Sequence, residues 1–538
     1  MDKYEKIMNL AKRRGFIYPS FEIYGGAAGL YSYGPLGTLL KENVKNLWRY
    51  FYVLNEGFIE IDTPTLTPFE VLKASGHVDE FTDLKAFCKK CKKSYKAEDV
   101  KRGDKLVCPS CGGEIKETSQ MNLMFSTILG EDRKAFLRPE TAQGIFTDFH
   151  LLYRFVREKM PFGVAQIGKG YRNEISPRQG VIRLREFSMA EVEVFYDPKN
   201  MNMDLPDLKG ELPLVVDGEV KRMDLKEAVE KGIIGNPALA YHILLAYKFM
   251  VACGIDNEKI RVRKHRKDEL AHYAKECWDI ESYSERFGWV ECVGIADRSA
   301  YDLTAHTKAS GVDLCASRRG EGRIKKKIVA KLNVLGPIFK ELTGRIKEEL
   351  EKIEPPAEKK EITLDVDGKK IVIPENGYEI VEEKESVERF IPHVIEPSFG
   401  IDRIIYFILE HSYVETEKRG EKYNLLRLPA YIAPIKAGVF PLVNDDRLCK
   451  IAKEIEREMR LEGLQAFYDD TGSIGRRYAR MDEIGTPFCI TVDFTTLEDD
   501  TVTVRYRDTT EQERIKRKDV PSFIKNQISE SLKNVFND

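Results

Sequence analysis

Nothing in the 538-residue sequence is apolar for long enough to cross a membrane. The most apolar run, "ILLAYKFMVACGI", is short and broken by Lys248. The opening "MDKYEKIMNLAKRRGF" lacks the apolar centre of a secretory signal and reads as a charged amphipathic helix. Cysteine is too sparse for a disulfide scaffold, with 10 in the chain. These absences exclude membrane and secreted classes and give a cytoplasmic expectation. Net charge is missing too: 86 Lys and Arg against 88 Asp and Glu leave −2. A nucleic-acid partner must then be held by local basic patches. No internal repeat is visible, and no residue stands out as a covalent nucleophile.

What is present is charge, at 32% of residues, in a chain too long for one core. Four of the cysteines cluster. "CKKC" at Cys88 and Cys91 precedes "CPSC" at Cys108 and Cys111, with 16 residues between the pairs. Two such turns supply four thiolates to a tetrahedral Zn²⁺, and four sulfurs leave no position for water, so the ion expected is structural. Gly112 and Gly113 suit a tight turn after the second pair. The surrounding lysines fit either phosphate contact or a solvated face. Cys253, Cys277, Cys315, Cys449 and Cys489 read as small core residues.

The periodicity of 34–58 predicts a helix with Pro35 near its start and Gly57 at its end, followed by the extended "FIEIDTPTLTP". "NPALAYHILLAYKFMVACG" predicts a helix with Asn236 as N-cap, Pro237 in the first turn and Gly254 after the last. "EKIRVRKHRKDELAHYAK" is a basic patch or a basic exposed face. A hairpin turning at Asp367-Gly368 is expected in "ITLDVDGKKIVIP". From 427 on, strands and helices alternate as in a compact α/β domain.

"YRNEISPRQGVIRLREFSMAEVEVF" (171–195) is the chemically dense stretch. It belongs to a hairpin over 162–195 whose turn is "SPRQG". Arg183, Arg185, Phe187, Met189, Glu191 and Glu193 share one parity and face one side if no bulge intervenes. Guanidinium groups bind phosphate bidentately, an aromatic face accepts a purine, and carboxylates receive an ammonium. ATP with an amino acid would satisfy all three. A surface ladder of salt bridges would give the same pattern.

"YRNE…RLREF" resembles motif 2 of the class II aminoacyl-tRNA synthetases. "GIDRIIYFIL" resembles motif 3, and the helix with "FIEIDTPTLTP" resembles motif 1. "LRPETAQGIF", "VECVGIADRSAYDL", "HVIEPSFGIDRI" and the zinc cysteines are similar to glycyl-tRNA synthetases of the dimeric archaeal and eukaryotic type. "LRLPAYIAPIKAGVFP" and "GSIGRRYARMDEIGTPFCITVD" resemble the anticodon-binding domain of the Gly/His/Pro/Thr subgroup. Ser398 stands where the class-wide motif 3 often has another glycine, but "EPSFG" is the glycyl-type form.

The resemblance implies an α+β multidomain chain: an antiparallel-sheet catalytic domain with helices, a zinc-ribbon insert, further insertions and a C-terminal α/β anticodon-binding domain. The catalytic domain would comprise 1–84, 119–197, 276–318 and 391–412. The ribbon would be 85–118, the insertions 198–275 (possible tRNA contacts) and 319–390, the linker 413–426 and the anticodon-binding domain 427–538. It implies glycine activation by ATP and transfer of the glycyl group to tRNA(Gly), with Mg²⁺ accompanying ATP, in a homodimer. Arg172 and Arg403 would be catalytic. Arg172, Asn173, Glu174, Arg183, Leu184, Phe187, Glu291, Cys292 and Arg403 would bind ATP. Glu140, Glu191, Glu396 and Ser398 would bind glycine. His306 and His393 read as structural. Rejecting larger amino acids from a glycine pocket is steric, so no editing domain is expected. A class II synthetase for another small amino acid, or an inactive RNA-binding relative, remain as alternatives.

Overall fold

The computed structural model describes residues 2–177, 180–199, 209–356, 359–366, 368–418 and 421–537. Two compact units emerge: residues 1–314 with 392–538, and 315–391.

The first unit is organised by one sheet. Its elements, in chain order, are α1 (Pro35–Arg49), β1 (Ile59–Glu60), β2 (Phe162–Tyr171), β3 (Glu186–Tyr196), β4 (Glu211–Val216), β5 (Glu219–Asp224), α2 (Pro237–Ala252), β6 (Ile260–Lys264), β7 (Glu276–Ser284), β8 (Gly288–Ser299), β9 (His393–Gly400) and α3 (Ile401–Ser412). The strands lie in the order β5-β4-β6-β7-β8-β9-β3-β2-β1. Only β1 with β2 and β4 with β6 pair parallel; the other neighbours are antiparallel.

Period-two alternation divides the chemistry from the core. On β3, Ala190, Val192, Val194 and Tyr196 join the main hydrophobic cluster, while Glu191 and Glu193 alternate with them. On β9, Phe399 packs edge-on to Trp48 of α1 (6.0 Å) and Phe249 of α2 (5.3 Å), leaving Glu396 and Ser398 for the opposite face. The helices therefore cover one face and the polar residues line the other.

Helix α2 forms as its sequence predicts. Asn236 caps it by accepting from the Leu239 N–H at 2.7 Å, Pro237 opens it, and Gly254 follows with φ +81°. It is apolar all round because it is buried nearly all round. Within 209–275, α2 and β4–β6 belong to the central sheet and its core. In the basic patch, Arg261 and Arg263 pair with Glu281, and Arg263 also with Asp279 and Glu269. The stretch read as a linker, 413–426, pairs Tyr413–Lys418 with Glu421–Leu426 as a hairpin.

Helix α3 begins under the polar face, and buried Asp402 anchors its first turn. Lys41 Nζ reaches Asp402 Oδ1 at 2.7 Å, the Tyr33 hydroxyl donates to the same oxygen, and the Ser188 N–H donates to Oδ2 at 2.6 Å. Burial would raise this carboxyl, but Lys41 and the two donors hold it below its ordinary value. The pair's contribution is complete above the unfolded value of about 3.9 and is lost as pH falls through the lower folded value. Lys41→Met strands the charge and is expected to cost about 3–5 kcal/mol in urea unfolding at pH 7. A cost below about 1 kcal/mol would show that the pair does not anchor the helix.

The 427–538 region carries a sheet of Ala437–Pro441, Ala466–Tyr468, Phe488–Val492, Thr501–Tyr506 and Gln512–Lys516 over its own core. The helices Asp446–Leu461, Ile474–Glu483 and Val520–Asn537 match the expected alternation. The Phe494–Asp499 helix and the Gln512–Lys516 strand were not foreseen.

The second unit pairs Ala316–Ala330 with Tyr378–Phe390 around Ile328, Leu335, Ile346 and Tyr378. Its hairpin joins Ile362–Val366 to Lys369–Ile373; Asp367 lies outside the described residues. The expected insertion at 319–390 falls within this unit.

Candidate active site

The loop between β2 and β3 carries most of the predicted nucleotide residues. Its ends are tied by the Arg172 N–H donating to Arg185 O at 2.9 Å and the Tyr171 N–H to Arg138 O at 2.9 Å. Strand β3 begins at Glu186, so Arg183 and Arg185 precede it and do not share its alternation. In the expected turn "SPRQG", Arg178 and Gln179 lie outside the described residues.

Arg172, Glu174, Arg183 and Phe187 line one side of a cleft that Glu291, Cys292, Ser398 and Arg403 close from the other. The Arg172 guanidinium lies between the rings of Phe81 and Phe187, 5.3 Å from each centroid. Close approach at β2 needs glycine: a Cβ on Gly170 would lie 2.7 Å from the Phe187 ring, and one on Gly168 would meet the Arg138 guanidinium. Arg403 is aimed by backbone, its Nε donating to Ile182 O at 3.0 Å and its Nη1 to Glu291 O at 2.8 Å. Arg183 is held by Asp99, a residue of the cysteine-bearing insert, at 2.7 Å. Leu184 is buried in the cleft wall. Asn173 is not a lining residue; its N–H donates to Leu123 O at 2.6 Å. Burial raises Glu174, against the pull of Arg183 and Arg172.

Ser398 links this cleft to a buried carboxylate cluster. Its hydroxyl donates to Glu191 Oε1 at 2.8 Å, while Glu191 Oε2 accepts from the Thr141 N–H at 2.6 Å and from the Thr141 hydroxyl. Glu140 accepts from Gln143 at 2.9 Å and faces His77 at 3.3 Å and Arg298 at 3.7 Å. Burial opposes its ionisation, but His77 and Arg298 hold it far below the ordinary range. Glu396 gives both oxygens to Arg298, at 2.9 and 2.8 Å. Asp302 takes the other edge of that guanidinium at 2.7 and 2.8 Å, and Tyr273 stacks on it at 3.7 Å. Glu193 is buried with neither oxygen hydrogen-bonded among the described residues.

Five buried acids thus surround one guanidinium and the His77 ring. Burial and the neighbouring carboxylates push Glu191 and Glu193 up, and Glu396 up to about 8 despite Arg298. The cluster is short of positive charge. Of its members, Arg298, Asp302, Thr141, Gln143 and His77 were missed as site residues by sequence reasoning. "DRSAYD" was the available signal for Arg298 and Asp302. His306 supports Gln143 Oε1 at 2.8 Å.

The cysteines form a separate group. Cys88 Sγ lies 3.6 Å from Cys111 Sγ and Cys91 Sγ 3.5 Å from Cys108 Sγ. A Zn–S bond of about 2.3 Å implies tetrahedral edges of about 3.8 Å, so the sulfurs fit the ion with small outward movement. Each pair sits on the same knuckle: the Lys92 N–H donates to Cys88 O and the Gly112 N–H to Cys108 O, with φ of +60° and +66° at those residues. All four sulfurs lie within 4.8 Å of one another. Among the described residues, no helix is long and apolar enough to cross a membrane.

Comparison with known proteins bears on the whole chain. The model of the tRNA synthetase class II core domain (G, H, P, S and T) matches residues 125–211, and that of the anticodon binding domain matches 430–527. The chain is 50% identical to the glycine–tRNA ligase of Methanocaldococcus jannaschii, over 98% of this chain and all of that protein. It is 47% identical to that of Archaeoglobus fulgidus, over 97% of this chain and 96% of that one. In fold it resembles prolyl-tRNA synthetase from Cryptosporidium parvum solved with L-proline and AMP, with TM-score 0.53, 13% identity, and coverage of 99% and 80%. With full-length identity of this order added to the two clusters, the chain belongs to the glycine–tRNA ligase family of class II synthetases.

Proposed function

We propose that the cleft binds ATP, that the carboxylate cluster at its floor receives the glycine ammonium, and that the enzyme activates glycine before passing the glycyl group to the 3′ end of tRNA(Gly). The observation that carries this is the cluster's charge deficit directly beneath a cleft lined by arginines. An ammonium supplies the missing cation; a glycine without a side chain lets the carboxyl lie toward Arg172.

In the activation step the glycine carboxylate attacks the α-phosphorus and pyrophosphate leaves. Negative charge gathers around that phosphorus, and pre-placed guanidinium groups stabilise it. Arg172 is the residue for the α-phosphate and the glycine carboxylate, with Phe187 under the adenine. Arg183 and Arg403 take the distal phosphates, and Asp99 must release Arg183 for this. Glu291, half exposed beside Arg403, is the acid suited to hold Mg²⁺, which neutralises phosphate charge. Glu191 is the ammonium acceptor, since Ser398 and Thr141 fix its oxygens, whereas Glu396 acts through Arg298.

Glu191→Gln keeps the shape and removes the charge. It is expected to lower kcat/KM for glycine in ATP–pyrophosphate exchange by about 10²–10³-fold while leaving ATP binding within a few fold. An unchanged kcat/KM would remove Glu191 from the site.

The ribbon is proposed as a structural Zn²⁺ site, the 427–538 domain as the reader of the tRNA anticodon, and the enzyme as a cytoplasmic homodimer. Cys91→Ser is expected to lower zinc content by one ion per chain and loosen the Asp99–Arg183 contact, measured by metal analysis and by KM for ATP. Unchanged zinc content would show that the cysteines do not hold it.

A further inference from the structure

The polar face of the sheet carries a second group of metal-type donors, two strands from the carboxylate cluster. His265 follows β6, and its N–H donates to Cys277 O on β7 at 2.9 Å. Along the register Cys277 faces Ala296, which faces Glu396; Asp279 faces Gly294, which faces Ser398 and then Glu191. The donors of His265, Cys277 and Asp279 therefore share the face of the glycine cluster. At about 4.8 Å per strand they stand roughly 10 Å from it, with only Ala296 and Gly294 between.

Their ligand atoms lie within 4.8 Å of one another. Ligands on a tetrahedral ion with bonds of about 2.0–2.3 Å stand about 3.3–3.8 Å apart, so side-chain adjustments of about 1 Å close the set. The His265 ring is already oriented: Nε2 lies 2.7 Å from Asp279 Oδ1. Its Nδ1 is buried and has no hydrogen-bond partner among the described residues. An ion held by Nε2 and Asp279 Oδ1 takes the place of the proton that those two atoms share. Arg263 Nη2 holds Asp279 Oδ2 at 2.8 Å, and its other nitrogens are engaged by Glu281 at 3.1 Å and Glu269 at 2.8 Å. Cys277, read from sequence as a small core residue, is only partly buried.

We propose that His265, Cys277 and Asp279 form a site for a transition-metal ion of the Zn²⁺ type, distinct from the four-cysteine ribbon. Sulfur, nitrogen and oxygen donors together select a borderline ion such as Zn²⁺ over Mg²⁺ or Ca²⁺, which require oxygen shells. Three protein ligands leave a fourth position for water or for an oxygen of a bound ligand.

The test is metal content of the full-length protein, stripped with chelator under reducing conditions, reloaded with Zn²⁺ and desalted. Wild type is expected to retain one more ion per chain than Cys277→Ser, whatever the ribbon holds. His265→Gln is expected to lose the same ion and serves if the first variant does not fold. A Cys88→Ser/Cys91→Ser protein loaded with Co²⁺ is expected to keep a thiolate-to-cobalt absorption band that adding Cys277→Ser abolishes. Equal zinc content in wild type and both site variants, or no band in the ribbon variant, overturns the proposal.

Discussion

Replacing Arg172 with alanine is expected to lower glycine-dependent ATP–pyrophosphate exchange by on the order of 10³-fold, with little change in melting temperature. The guanidinium is half-buried in the cleft, held between Phe81 and Phe187, and among the described residues its one hydrogen bond is a long one to Pro139 O at 3.5 Å. Little of the fold depends on it, so its loss falls on the charged transition state. Arg172→Lys is expected to recover only a small part, because an ammonium cannot grip phosphate and carboxylate oxygens in parallel. A variant exchanging within a few fold of wild type would mean that the cleft is not where the α-phosphate lies.

Arg298→Leu has the largest expected effect on stability. The side chain is wholly buried and joins Glu396 and Asp302 through four hydrogen bonds, with Glu140 nearby. Removing it leaves three buried carboxylates facing one another and is expected to cost at least about 3–5 kcal/mol at pH 7 by urea unfolding. Without the guanidinium, Glu140 loses one of the cations that hold it down, and Glu396, already raised, is pushed up further. A carboxyl raised in this way stabilises the fold most below about 4.3 and loses that contribution as pH rises through its folded value. The deficit relative to wild type should therefore narrow as pH falls from 7 toward 4.5. A constant deficit would assign the cost to packing against Tyr273 and Phe146 instead.

Much of this was legible because local rules carried it. Asn236, Pro237 and Gly254 bounded a helix, and two Cys-x-x-Cys turns announced four converging sulfurs. The alternation of Met189, Glu191 and Glu193 placed both glutamates opposite the core. What was illegible depended on distant partners. Arg183 and Arg185 share the parity of β3, but Arg185 accepts from the Arg172 N–H and donates its own N–H to Gly29 O, outside the ladder that starts at Glu186. Glu396 looks free in sequence because its partner, Arg298, lies 98 residues away. The pairing of β4 with β6 was equally illegible, because Leu214 and Val262 meet only in the folded sheet.

Ion-pair geometry separates the two functional clusters by role. The cleft arginines Arg172 and Arg403 rest largely on aromatic faces or backbone carbonyls, which leaves their charge available to phosphate. Arg298 is matched by acids on both edges and holds the pocket's shape. If the proposed roles hold, one residue type serves catalysis and architecture, distinguished by what it touches.

The central claim is that this cleft and cluster activate glycine. Amino-acid-dependent ATP–pyrophosphate exchange, run on the full-length protein with Mg²⁺ and each of the twenty amino acids separately, tests it most directly. Exchange with glycine and with no other amino acid is the predicted result. Exchange driven by a different amino acid, or by none, would contradict it.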